Sequence, residues 1–254
     1  MNAPSSQTRF WRPLPWLEIR QSHEMRERFV RHTHPGLSIG LIDRGATVLD
    51  LGGRRVPLVA GQAVLIPPGL AHACNPEPSQ PWSNRMVFVA AGANWALPEG
   101  GQAIVLRDRA RCLKLRALIT RLCRPHAKWI DAFALMRALK SLAGERGRIR
   151  SRPAWLAPIK HGLLAGNGET LATLAQRVGL SRWQLIRAFA AATGLTPHAW
   201  LLDQRVQRAR ELLREPGRSL SEIALTTGFA DQSHFSRAFK ARTAVTPGRY
   251  RGKP

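Results

Sequence analysis

Ser219 to Arg251 reads SLSEIALTTGFADQSHFSRAFKARTAVTPGRYR, and much of it repeats a stretch met about 50 residues earlier. Ile186–Pro197, IRAFAAATGLTP, aligns with Ser236–Pro247, SRAFKARTAVTP, at a constant shift of 50, while LATLAQRVG from Leu171 aligns with LSEIALTTG from Leu220 at a shift of 49. Two copies of one supersecondary unit follow, with one residue inserted in the turn of the second. In the first copy Leu171, Leu174, Ala175 and Val178 share a helix face, Gly179 ends the helix and Ser181 caps the next. In the second, Ser219 to Glu222 is a capping box, Leu220, Ile223, Ala224 and Thr227 make the face, Gly228 stops the helix and Asp231 caps its successor. This is helix-turn-helix grammar, written twice.

The second helix of each unit shows what the fold is for. Leu185, Ala188, Phe189 and Ala192 cluster on one side of the first, leaving Trp183, Arg187 and Ala190 opposite, with Ile186 at the edge. In the other, Phe235, Ala238 and Phe239 face in, while Ser233, Arg237 and Lys240 face out, flanked by Gln232 and Ser236. Such a helix fits a major groove, where Arg reaches guanine O6 and N7 and Gln matches adenine. Between the copies, Pro197 to Glu215 reads as a single connecting helix, nearly 30 Å long at ~1.5 Å per residue.

Upstream the texture differs. LSIGLI, ATVLDL, AVLIP and RMVFVA read as short strands separated by DRG, GGRR, PPG and PEPSQP, the pattern of a β-barrel or sandwich. From Arg107, apolar residues at helical spacing (Leu113, Leu115, Leu118, Ile119, Leu122, then Ile130, Phe133, Ala134, Met136, Leu139) predict two helices broken near Pro125. Their stripes, with Cys112 and Cys123 on nearly one face, predict a dimer interface around Leu118. GERGRIRSRP is polar and basic, the composition of a linker. The expected fold is α+β with two domains: a barrel over 1–106, a helical dimerisation segment over 107–147, a linker over 148–157 and an all-helical domain over 158–254. Within the last, the helix-turn-helix units occupy about 170–194 and 219–243, joined by the helix over 197–215.

Composition agrees. The 254 residues carry 39 Lys and Arg against 16 Asp and Glu, a formal charge of +23, which favours a phosphate-rich partner. Cys74, Cys112 and Cys123 form no CxxC pair, so neither a disulfide framework nor a zinc cluster is indicated. Neither a signal peptide nor a membrane span is apparent, and a cytoplasmic protein is expected.

At these residues the chain resembles the AraC/XylS family of bacterial transcription regulators. The resemblance is carried by Ser181 to Phe189, by Thr196 and Pro197, by Arg205, Ala209 and Leu212, by Ile223, by GFADQSHFSRAFK, and by TPGRYR to Arg251. It implies base contacts from Arg182, Trp183, Ile186 and Arg187 and from Gln232, Ser233 and Arg237; Lys240 joins them from its outward position. It also implies a homodimer acting on double-stranded promoter DNA with RNA polymerase, and a small-molecule effector held in the N-terminal domain. Where the motif usually has Gly after the last reading helix, this chain has Ala244.

The N-terminal part resembles a cupin barrel. Gly61, Pro67, Gly69 and His72 fit GxxxxxPxGxxH, Asn75 lies near the motif's Asn, and His32 and His34 supply HxH. Metal-binding cupins add a Glu after HxH, and none follows His34 closely here. The expectation is therefore no metal and no cofactor, with His32, His34 and His72 lining the effector pocket. Three other functions compete with this one. A cupin oxygenase is disfavoured by the missing Glu, and a repair methyltransferase by the missing four-cysteine site and Pro-Cys-His-Arg nucleophile. Against an architectural binder stand Trp183, Gln232 and Ser233 on the outer faces, which point to base reading. A regulator, not an enzyme, is expected.

Overall fold

In the computed structural model residues 7–76, 80–90, 101–143, 152–166 and 168–252 are described. They fall into two units, Met1–Arg28 with His34–Arg150 and Phe29–Thr33 with Ser151–Pro254. The short segment 29–33 thus belongs with the C-terminal helices, although it lies between two strands of the barrel in sequence.

The first unit contains β1 (Gln7–Leu14), β2 (Leu17–Met25), β3 (Leu37–Arg44), β4 (Ala46–Asp50), β5 (Arg55–Val59), β6 (Ala63–Ile66), β7 (Ala73–Pro76), β8 (Trp82–Val89) and β9 (Ile104–Leu106). They pair antiparallel in a six-stranded sheet, order β1-β2-β8-β3-β6-β9, and a three-stranded sheet, order β5-β4-β7. Side chains alternate across a strand. Leu17 and Ile19 of β2, Leu37, Ile39 and Leu41 of β3, Ala63 and Leu65 of β6, and Val87 and Val89 of β8 therefore share one face. That face packs against α1 (Arg109–Leu122) and α2 (Trp129–Ala143), which contribute Cys112, Leu115, Leu118, Ile119, Leu122, Leu135 and Leu139 to the same core. Asp43 pins α1 to the sheet: it takes a two-pronged ion pair from Arg85 of β8, at 2.9 and 3.0 Å, and another from Arg116 of α1 at 3.0 Å.

This packing corrects the expected dimer interface. Leu118 and Cys112 are buried against the sheet within one chain. Burying such a leucine contributes ~1.5–3 kcal/mol, so a charge at Leu118 would attack the core of the protomer. The outward apolar residues are instead Trp129, Ile130 and Phe133 of α2, 58–67% exposed. The strand expectations missed β1, β2, β5, β7 and β9. In β5, which contains part of GGRR, Val56 and Leu58 are buried and Arg55, Pro57 and Val59 are exposed; Pro57 is tolerated because β5 is an edge strand. Residues 77–79 of PEPSQP and residues 144–151, which include the first four of the expected linker 148–157, lie outside those described; the linker's last two residues, Leu156 and Ala157, already belong to a helix over Leu156–Ala165.

The second unit comprises α3 (Leu156–Ala165), α4 (Leu171–Gln176), α5 (Arg182–Thr193), α6 (Pro197–Leu212), α7 (Leu220–Thr226), α8 (Gln232–Thr243) and α9 (Pro247–Arg251). The repeat survives to the level of single hydrogen bonds. Thr170 and Ser219, the equivalent caps of α4 and α7, accept from Thr173 N and Glu222 N, and Ser181 and Asp231, the equivalent caps of α5 and α8, accept from Gln184 N and His234 N. Thr193 Oγ1 donates to Phe189 O at 2.8 Å, as Thr243 Oγ1 does to Phe239 O. The second repeat is filled by a run of rings, Phe229, Phe235, Phe239 and the chain's single tyrosine, Tyr250, with consecutive centroids 5.3–5.6 Å apart. Gly228 sits where an added Cβ would come within 3.1 Å of the Arg205 guanidinium, at φ +82°. The symmetry is broken at the end of the second helix, where Gly194 ends α5 in the left-handed conformation and its counterpart Ala244 ends α8 at φ +61°. For a residue with a Cβ that conformation costs ~1–2 kcal/mol, a cost the surrounding packing overrides.

The connecting helix is shorter than expected. It ends at Leu212, three residues before Glu215, because Pro216 disfavours helical geometry in the residue before it and Gly217 turns at φ +87°. Sixteen residues at ~1.5 Å give roughly 24 Å.

Candidate functional site

The two recognition helices carry the first candidate site. Arg182, Trp183 and Arg187 of α5 are exposed and Ile186 is half-buried, while Leu185 and Phe189 are buried; on α8, Gln232, Ser233, Arg237 and Lys240 are exposed and Phe235, Ala238 and Phe239 are buried. Every residue expected to touch DNA therefore lies on an accessible or partly accessible helix face, and Arg187 and Arg237 stand at equivalent positions of the repeat. Neither helix has an acidic residue in its first turn; the start of α5 is capped by the neutral Ser181, which leaves the positive end of its dipole for phosphate, whereas that of α8 is met by the Asp231 carboxylate, which accepts from His234 N at 2.7 Å. Two side chains are already oriented. The Arg182 guanidinium lies 5.9 Å from the Trp183 ring centroid, and Ser221 Oγ of α7 donates to Gln232 Oε1 at 2.7 Å, which turns the Gln232 amide nitrogen away from α7.

The second candidate site is the other face of the six-stranded sheet. Register places Glu18, Phe88 and Ser38 in one row across β2, β8 and β3, Arg20, Met86 and Gly40 in the next, and Ser22, Asn84 and Ile42 in a third. Glu18, Arg20, Ser22, Ser38 and Asn84 are all buried. A β-sheet face so polar and yet buried is unusual, because each unpaired buried polar group costs ~1–3 kcal/mol. Glu18 is matched by Arg12 at 3.0 Å. Ser38 Oγ and Asn84 Oδ1 have no hydrogen-bond partner within the protein among the described residues. The Arg20 guanidinium lies 5.9 Å from the Phe88 ring, and its charge reaches Cys74 of β7 in the three-stranded sheet. There burial still pushes the Cys74 thiol up to about 12. Gly40 leaves space that Met86 fills: an added Cβ would stand 3.0 Å from its sulfur.

His34 and His72 border this interior. Their ring centroids are 5.2 Å apart, and that of His34 is 4.8 Å from Phe88. His72 Nδ1 donates to Leu70 O at 2.8 Å, which fixes the tautomer with the lone pair on Nε2. Burial pulls its pKa down to about 4, outweighing the Leu70 bond, so the ring is neutral at pH 7. His32 lies on the 29–33 segment, in the other unit, with Nδ1 donating to Val30 O at 2.9 Å. The structure therefore joins only two of the three expected histidines within one unit. The positive charge of the interior comes from Arg20, a residue the sequence reading passed over. Its signal was present in LEIRQS, where Leu17 and Ile19 alternate with Glu18, Arg20 and Ser22.

Residues 15–143 match the family described as "AraC-like ligand binding domain", and residues 174–253 match "Helix-turn-helix domain". The chain belongs to the AraC/XylS family. Among its curated relatives, the HTH-type transcriptional regulator MtrA of Neisseria gonorrhoeae is 43% identical over 72 residues, 28% of this chain and 24% of that protein. For the first relatives it matches, the AraC/XylS chain thus spans only about a quarter to a third of their length. The arabinose operon regulatory protein of Escherichia coli is 24% identical over 238 residues, 85% of this chain and 80% of that protein. In fold the chain is similar to apo ToxT from Vibrio cholerae, with a TM-score of 0.65 at 12% identity, covering 94% of this chain and 97% of that one. No helix among the described residues is long and apolar enough to cross a membrane.

The depressed pKa of His72 has a measurable consequence. Its folded value, about 4, lies below the ordinary 6.5, so the neutral ring's contribution to stability is complete above pH 6.5 and is lost as pH falls from there toward 4. Melting temperatures of wild type and His72→Gln, measured from pH 7.5 to 4, are expected to converge as pH falls. Parallel curves would show that His72 titrates normally.

Proposed function

We propose that this protein is a sequence-specific transcription regulator whose promoter binding responds to a small anionic effector held on the polar sheet face around Arg20. The observation that carries the DNA part is the repeated recognition helix, with Arg187 and Arg237 exposed at matching positions. In this reading Arg182, Trp183, Ile186 and Arg187 contact one half-site, and Gln232, Ser233, Arg237 and Lys240 the other. The +23 charge strengthens binding without specifying sequence. The protein acts in the cytoplasm with RNA polymerase and is no enzyme, in keeping with relatives that are themselves named as regulators.

The effector reading rests on Arg20, Ser38 and Asn84 lying on one buried face beside the Phe88 ring. A carboxylate answers the guanidinium, and a flat or apolar body answers Phe88 and His34. Neutral His72 supplies hydrogen bonding, not charge. The structural neighbour ToxT is recorded with an unsaturated fatty acid and with a naphthalenyl-butenoic acid, both carboxylates. Dimerisation is assigned to the outward face of α2, where Trp129, Ile130 and Phe133 are exposed and Trp129 extends an apolar surface to Trp16, 6.5 Å away.

Replacing Arg187 or Arg237 by Ala is expected to cost roughly 1–3 kcal/mol on a selected site, and much less on random duplex. Equal losses on both DNAs, read by fluorescence anisotropy, would reduce these residues to phosphate contacts. Arg20→Met keeps the length and apolar stem of the side chain but removes its charge. A library of small carboxylates that shifts the melting temperature of wild type should leave this variant unmoved, while its DNA affinity without ligand stays the same. An equal shift in the variant removes Arg20 from the site. Phe133→Glu should sediment as a folded monomer, and a dimer would place the interface elsewhere.

A further inference from the structure

The segment Phe29–Thr33 is held by three separate parts of the DNA-reading unit to which it belongs. Val30 N donates to Ala241 O, in the last turn of α8, at 3.0 Å. Arg31 reaches Gly194 O, at the end of α5, at 3.4 Å. Thr33 is fastened to α6: its backbone N–H and hydroxyl both donate to Asp203 Oδ2, at 3.0 and 2.5 Å, and its carbonyl accepts from Gln207 Nε2 at 2.8 Å. One five-residue stretch therefore touches the C-terminal ends of both recognition helices and the helix that joins them.

Asp203 shows that this seat is built for the segment. It is 0% exposed in the middle of a helix, where an ionised carboxylate is expensive unless paired and hydrogen-bonded. Two donors come from Thr33, and Arg242 of α8 stands across from it with Nε 3.6 Å from Oδ1. Burial raises the Asp203 pKa to about 6, against the downward pull of Thr33, Arg242 and Arg210. Without the segment, α6 would carry a buried acid facing α8 with its two best donors gone.

We infer that Phe29–Thr33 is a strap that fixes how the two helix-turn-helix units sit on α6, and so sets the half-site spacing the protein accepts on DNA. Thr33 and Asp203 are positioning residues in this role; neither needs to touch DNA. The proposal rests on the DNA-binding reading but not on the effector.

The test uses the full-length chain and a duplex it selects from random sequence. Two quantities are read: hydrogen exchange of the peptide covering residues 29–33, and affinity for duplexes whose half-sites are moved together or apart by a few base pairs. Thr33→Val removes the hydroxyl donor at nearly constant shape. It should speed exchange in the strap and reduce the preference for the native spacing by about tenfold, the scale of one hydrogen bond to a charged group. Thr33→Ser keeps the hydroxyl and should behave as wild type. The double variant Thr33→Val with Gln207→Ala should release the strap further. Faster exchange with an unchanged spacing preference would overturn the proposal, as would wild-type exchange in the double variant. A wild type that selects no paired half-sites would overturn both this and the DNA-binding reading, a failure seen before any substitution is made.

Discussion

The strict alternation of side chains along β2, β3 and β8 is the constraint on which the first unit depends. Each strand must satisfy two unlike environments at once, and a shift of one residue would exchange them. Leu17, Ile19, Ile39, Leu41, Val87 and Val89 meet α1 and α2, whereas Glu18, Arg20, Ser22, Ser38 and Asn84 turn to the opposite side. Register is thereby fixed by cost. Slipping β2 would drive Arg20 and Glu18 into the apolar layer, a penalty far above the few kcal/mol that separate folded from unfolded. The same alternation delivers a charged group to the interior, so the sheet that holds the unit together also builds its candidate binding face.

In the second unit the constraint is duplication. Each copy closes its own small core, around Phe189 with Trp200 and around Phe235 with Phe239, and each presents an arginine at the equivalent outward position. Helices this short would be marginal alone. Capping boxes at Ser181 and Ser219, together with Pro197 and Pro247 in the first turns of α6 and α9, lower the cost of starting each one. The copies keep the positions of their caps but not the residues, Ser181 answering to Asp231 and Gly194 to Ala244, and the left-handed turn is kept even where the residue carries a Cβ.

What the sequence made legible followed from local rules. The repeat, its caps and the outward faces of α5 and α8 are readable because helix periodicity and capping act within a few residues. Arg20 is legible in principle from the alternation in LEIRQS, but LEIRQS is more polar than LSIGLI or RMVFVA, and its apolar residues are too few to mark a strand by themselves. Leu118 was misassigned because an apolar helix stripe is the same whether it meets a sheet of its own chain or a second chain. Asp203 was not readable at all: its environment is made by Thr33, 170 residues away, and no pattern along α6 announces such a partner.

That distant pairing lies within the second unit, and the residue after Thr33 begins the first unit's longer segment. Thr33, which hydrogen-bonds Asp203, is followed directly by His34, whose ring is 4.8 Å from Phe88 and whose carbonyl accepts from Gly69 N at 2.9 Å. Just beyond, Gly36 lies so close to β8 that an added Cβ would fall 1.7 Å from Val89 O, which leaves the path into β3 little freedom. The chain around this point is thus fixed on both sides by its own unit, Thr33 by Asp203 and Gln207, His34 and Gly36 by the loop at Gly69 and by β8, and hydrogen bonds to a charged group, at ~1.5–3 kcal/mol each, make the Thr33 side the costlier one to release.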